Sequence, residues 1–156
     1  MTTRRQFVGA AGLLALSPAL AHHGWSRFDT SRPLFLAGRV VAASWRNPHA
    51  EFDLELPTDA ALPADLRRRR LPDQSAPIDG AQLLAQAELP RRRDRVWKVE
   101  LAPLSRMRAW SVPEIKPGDV VEVLGYTFAG ESGDPVLRAE YVWVGGQAYG
   151  LRSSPV

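Results

Sequence analysis

Glu51-Phe52-Asp53-Leu54-Glu55-Leu56 is the stretch that decides the fold. Its apolar side chains alternate with three carboxylates, the period of two that sets one strand face on a core and the other in water. Upstream, residues 34–45 are apolar and β-branched, interrupted by Gly38, which predicts a second strand with a bulge or sharp coil at the glycine. Arg46-Asn47-Pro48 marks a turn between the two, so they form an antiparallel hairpin. Val96-Trp97-Lys98-Val99-Glu100-Leu101 reads as a third strand. Residues 103–110 then form one or two helical turns, with Pro103 suited to the first. Lys116-Pro117-Gly118-Asp119 turns into a strand over 120–128, and Gly130-Glu131-Ser132-Gly133-Asp134 makes a hairpin to a last strand over 136–144. Three strands, one short helix and two strands predict an all-β, five-stranded OB-like barrel, with a β-sandwich as the alternative.

The hairpin and the third strand are separated by a polar excursion, 57–95, punctuated by Pro57, Pro63, Pro72, Pro77 and Pro90. Residues 81–89 predict a short helix with Asp79 as its N-cap. A loop this long inside a small domain is expected to be mobile or specialised. The β domain therefore spans 22–144, with 57–95 inserted in it and 145–156 as a C-terminal tail.

The first 21 residues read as an export signal. Arg4-Arg5 and Phe7 precede an apolar run over 8–16, Pro18 breaks any helix, and Ala19-Leu20-Ala21 supplies small residues for cleavage after Ala21. The run is about half the length needed to span a bilayer. The paired arginines favour the twin-arginine route over an ordinary secretory one. A periplasmic or secreted protein beginning at His22 is expected, with no stable membrane anchor, and no lipid-accepting cysteine follows the run.

Composition bounds the partners. There are no cysteines, so the hydrophobic core holds the fold without disulfides. Lys and Arg number 20 against 17 Asp and Glu, and removal of Arg4 and Arg5 nearly balances the charge. The remaining arginines cluster in Arg67-Arg68-Arg69-Arg70 and Arg91-Arg92-Arg93-Asp94-Arg95, among Pro, Asp and Gln. Solvated loop ends describe them better than a nucleic-acid surface, which needs aromatic platforms on a basic face. The expected partner is a small ligand or another periplasmic protein.

His22-His23-Gly24-Trp25, Phe28-Asp29, Gly38-Arg39-Val40 and Trp45-Arg46-Asn47-Pro48-His49-Ala50 occur in that order. Val96-Trp97-Lys98-Val99-Glu100-Leu101, Leu104-Ser105-Arg106, Trp110 and Lys116-Pro117-Gly118-Asp119-Val120 follow. Together they resemble domain-of-unknown-function family 6152, small exported bacterial proteins. The likeness runs from Ala21 to about Val144 and departs from the family pattern at Ala109, where a glycine is usual. It implies a small extracytoplasmic β domain and no established activity.

Three histidines carry the sharpest chemistry. Cleavage after Ala21 would give His22 a free amine, and an amine, its own imidazole and the His49 ring form a nitrogen set suited to copper(II), with His23 as an alternate. The plainer reading makes His22 and His23 a frayed end and His49 a turn residue after Asn47-Pro48. No thiol, serine elbow, phosphate loop or dinucleotide fingerprint is present, and the Glu51, Asp53, Glu55 row reads as a wet strand face. Trp97 and Trp143 are expected in the core. Trp45, Asn47 and His49, with Trp25 anchoring the N-terminal arm, form the expected ligand surface. The expected function is a non-enzymatic exported binding protein. The alternatives are a copper protein using His22 and His49, or an accessory subunit docking through the arginine-rich excursion.

Overall fold

The computed structural model describes residues 25–156. The expected signal over 1–21, together with His22 and His23, lies outside the described residues. The strands are β1 (Leu34–Ser44), β2 (Glu51–Glu55), β3 (Val96–Glu100), β4 (Val120–Tyr126), β5 (Val136–Val144) and β6 (Gln147–Gly150). Two short helices join them, α1 (Gly80–Gln86) and α2 (Leu104–Ala109). The sheet runs β3-β2-β1-β4-β5-β6, and an additional β3–β5 pairing closes the first five strands into a barrel. That closing pair is parallel, Lys98 opposite Val136 and Glu100 opposite Arg138, whereas the other pairings are antiparallel. The all-β OB-like expectation therefore holds, with α2 between the third and fourth strands.

The hairpin forms as the alternation requires, Ser44 opposite Glu51 and Arg39 opposite Glu55. Its bulge sits between Val40 and Ala42 rather than at Gly38. Gly38 answers a different constraint: a Cβ there would run into the Glu55 carbonyl oxygen of β2. Phe52, Leu54, Trp97, Val99, Val123 and Leu137 fill the barrel, where Trp97 is fully buried and its indole N–H donates to the Asp94 carbonyl at 3.2 Å. Outside, Lys98 reaches Asp53 at 3.2 Å and Glu51 at 3.7 Å, and Arg95 reaches Glu55 at 3.2 Å. The carboxylate row is the wet face. Exposed pairs of this kind contribute only tenths of a kcal/mol each, about 0.2–1.

The excursion, expected to be mobile or specialised, is packed onto the barrel. Leu66, Leu84 and Ala87 are buried against Phe35, Leu124, Tyr141 and Trp143, a second hydrophobic cluster on the outside of the barrel. Helix α1 is capped as its sequence predicts, Asp79 Oδ1 accepting from the Gln82 N–H at 2.9 Å. Its arginines also divide. Arg69 bonds Glu122 at 2.5 Å and Asp65 at 3.0 Å and lies over Trp143, whereas Arg67, Arg68, Arg70, Arg91 and Arg93 are exposed. Residues 145–156, expected as a C-terminal tail, supply β6 and then a strap: Ser75 N–H donates to Ser154 O, and the Trp110 indole donates to Ser153 O at 2.7 Å. A run of isolated prolines and arginines hides this, because the apolar residues that make the cover are too widely spaced to show a period.

The end of the excursion is clipped by Glu131. Its carboxylate accepts from the Arg91 and Arg92 backbone N–H groups, each at 2.9 Å, and from Arg32 at 2.6 Å. Burial pushes this carboxyl up, but those N–H donors and the Arg32 guanidinium outweigh it and hold it below its ordinary value.

Two outcomes are expected. Leu84→Ala lowers stability by about 2–4 kcal/mol in chemical denaturation, where an unpacked loop would lose under about 0.5. For Glu131 the sign is that of a depressed carboxyl: its contribution is present above the unfolded value of about 4.5 and is lost as pH falls through the folded one. Glu131→Gln should therefore lower the denaturation midpoint at pH 7 and flatten its fall below about pH 5.

Candidate functional site

The β1–β2 connection carries three of the expected site residues. Trp45 leaves β1 half-buried and packs on the barrel cluster, while Arg46, Asn47 and Pro48 are exposed and His49 is half-buried. The Asn47–Pro48 peptide is cis. Ala50 ties the connection to the end of β3: its N–H donates to Ala102 O at 3.1 Å and its carbonyl accepts from Leu101 N–H at 2.9 Å. Half-buried His49, buried Ala50 and half-buried Glu51 continue the alternation of β2, so His49 follows Glu51 on the outward side.

Trp25 is anchored elsewhere, in the short 3-10 turn Trp25–Arg27. Its ring meets Tyr126 and Phe28 edge-on at 6.2 and 6.3 Å. Two guanidiniums approach the same indole, Arg138 at 5.3 Å and Arg152 at 3.5 Å from the centroid. The Trp25 turn and the β1–β2 connection are linked across the sheet. Arg138 bonds Glu100 at 2.8 Å, and Glu100 stands opposite Glu51 on β2. Trp25 therefore rests on the guanidinium of Arg138 in β5, a strand separated from β2 by β3.

Behind Trp25 lies a group the sequence reading passed over. Glu140 is fully buried; Arg152 donates to its Oε2 from Nε at 2.9 Å and Nη2 at 2.6 Å, and Gln74 donates to its Oε1 at 3.3 Å. Gln74 in turn accepts from the Ser153 N–H, and Leu151 N–H bonds the Glu140 carbonyl. Burial and the nearby Glu140 carboxylate push the Tyr126 hydroxyl up to about 12, so it stays neutral. A lone carboxylate within the apolar run 139–144 was the available signal, since a buried charge needs a partner.

Among the described residues, no group of three or more His, Cys, Asp and Glu is arranged to hold a metal ion. His22 and His23, the rest of the expected copper set, are not among them. Nor is any helix of the described residues long and apolar enough to cross a membrane. The described residues form a closed barrel whose β1–β2 connection carries half-buried Trp45, exposed Asn47 and half-buried His49.

The model of a family of unknown function (DUF6152), the family that the sequence resembles, matches residues 12–63. No curated protein and no solved structure matches the chain.

Removing Arg152 leaves Glu140 buried and uncompensated. Arg152→Ala is expected to cost about 3–5 kcal/mol, with part of the loss recovered in the Arg152→Ala, Glu140→Gln double variant. Equilibrium denaturation of the four proteins of that cycle measures the coupling.

Proposed function

We propose that this protein is a small exported binding protein of the periplasm, non-enzymatic, whose ligand meets the barrel end carrying Trp45, Asn47, His49 and the Trp25 arm. The supporting observation is what the rest of the barrel has already used. Its interior is filled by side chains, one outer face lies under the excursion, and the β2–β3 face is tied up in ion pairs. On the β1–β2 connection, by contrast, the Arg46 and Asn47 side chains are exposed, and neither has a hydrogen-bond partner among the described residues. By analogy, OB barrels use the strand 2–3 face and the loop between strands 1 and 2 for binding.

Copper is the second reading: an amine and imidazole at His22, three residues before Trp25 in the sequence, would make with the His49 ring a nitrogen set that suits copper(II).

Protein recovered from the periplasm should have the mass of a chain beginning at His22. Arg46→Ala with Asn47→Ala, both on exposed side chains, should strip any small molecule retained in native mass spectrometry while leaving the melting temperature within a few degrees. A leader still attached, or retention unchanged in the double variant, overturns the reading. In the copper case the protein takes up one equivalent of copper(II), and both acetylation of the amine and His49→Ala abolish that uptake.

A further inference from the structure

A cleft of about 410 Å³ opens at the opposite end of β2 from the β1–β2 connection, between the two feet of the excursion. Leu56, Pro57, Leu89 and Pro90 form its apolar floor, and Arg92, Arg93 and Arg95 stand in its wall. The floor continues into an apolar recess of about 80 Å³ that shares Leu56, Pro57, Ala60 and Leu89 and reaches Phe35 and Leu36. The volume falls within the range of small-molecule sites.

The charge at this cleft is arranged asymmetrically. Arg92 is held rigidly: its Nε donates to Asp94 at 2.5 Å, its Nη1 to the carbonyls of Glu131 and Gly133 at 2.9 Å, and its guanidinium lies over Trp97. Its Nη2 donates to no protein group among the described residues and is not buried. Arg93 is exposed and likewise has no partner there, and Arg95 is held only by an exposed pair with Glu55. The acidic group in the same wall, Asp94, is already taken by Arg92, while Asp59 borders the inner recess and is exposed. The cleft therefore joins hydrocarbon-lined space to Arg92, held by Asp94 and two carbonyls with its Nη2 left over, and to Arg93, which has no partner among the described residues.

We infer that this cleft is a second binding site, for a small amphipathic carboxylate: the hydrocarbon on Leu56, Pro57, Leu89 and Pro90, the carboxylate on Arg92 Nη2 and Arg93. A guanidinium matches a carboxylate in shape and charge, and the pair is stronger where one partner is held in place beforehand. The site is independent of the β1–β2 surface, so failure of either leaves the other standing.

Calorimetric titration of the purified protein with decanoate, kept below its micellar concentration, tests this. One molecule of decanoate should bind per protein, with decanol and acetate at least about tenfold weaker, the loss expected on removing one charged or one apolar half. Arg93→Glu, on an exposed side chain, should weaken decanoate about tenfold or more without changing the melting temperature. Ala60→Trp, which fills the cleft from an exposed position, should abolish binding. Absence of saturable binding, equal affinity for decanol, or affinity unchanged in both variants overturns the proposal. So does association with phosphatidylglycerol vesicles without binding of free decanoate, which would make the cationic rim a lipid-surface contact.

Discussion

The parallel pairing of β3 with β5 is the contact on which the remaining architecture depends. Val99 opposite Leu137 and Glu100 opposite Arg138 close what would otherwise be an open sheet with a free strand on one side. Closure removes that edge and encloses Trp97, Val99 and Leu137, none of which retains exposed surface. The same pairing sets Arg138 beside Glu100, and Arg138 beneath Trp25. One ladder thus builds the core and decides where the N-terminal arm rests.

A second layer then grips the barrel from outside. The excursion lays Leu66 and Leu84 on Phe35, Leu124 and Trp143, and the strap after β6 returns across Gln74, Ser75 and Trp110. Glu140 is the bolt between these parts: its carboxylate joins β5 to Arg152 of the strap and Gln74 of the excursion. Both proposed sites lie at the margins of this arrangement. One is the hairpin connection at the start of β2, and the other is the cleft where the excursion leaves the end of β2 and rejoins β3.

Legibility of the fold followed how local each signal was. The hairpin, the helix α1 with its Asp79 cap and the helix α2 rest on neighbours within a few residues, and all three were readable from 51–56, 79–89 and 103–110. The cover was not, because Leu66, Leu84 and Trp143 are far apart in the chain and follow no shared period. The same limit applied to the sites. Trp45, Asn47 and His49 stood out because they sit together in one motif. Arg92 did not: in sequence it is one of a run of arginines, and its bonds to Asp94 and to the carbonyls of Glu131 and Gly133, with its guanidinium over Trp97, distinguish it from exposed Arg93.

By itself the sequence determined that the chain makes strands with one wet face, a turn at Asn47-Pro48 and a barrel-sized set of them. Alternation and turn chemistry act between adjacent residues, so they are written along the chain. Tertiary structure alone decided that 57–95 is a second core layer, that 145–156 is a strand and a strap, and which arginines are spent on internal partners. Those outcomes depend on burial and on charges meeting across distant segments, and a residue's partner at that range has no local signature.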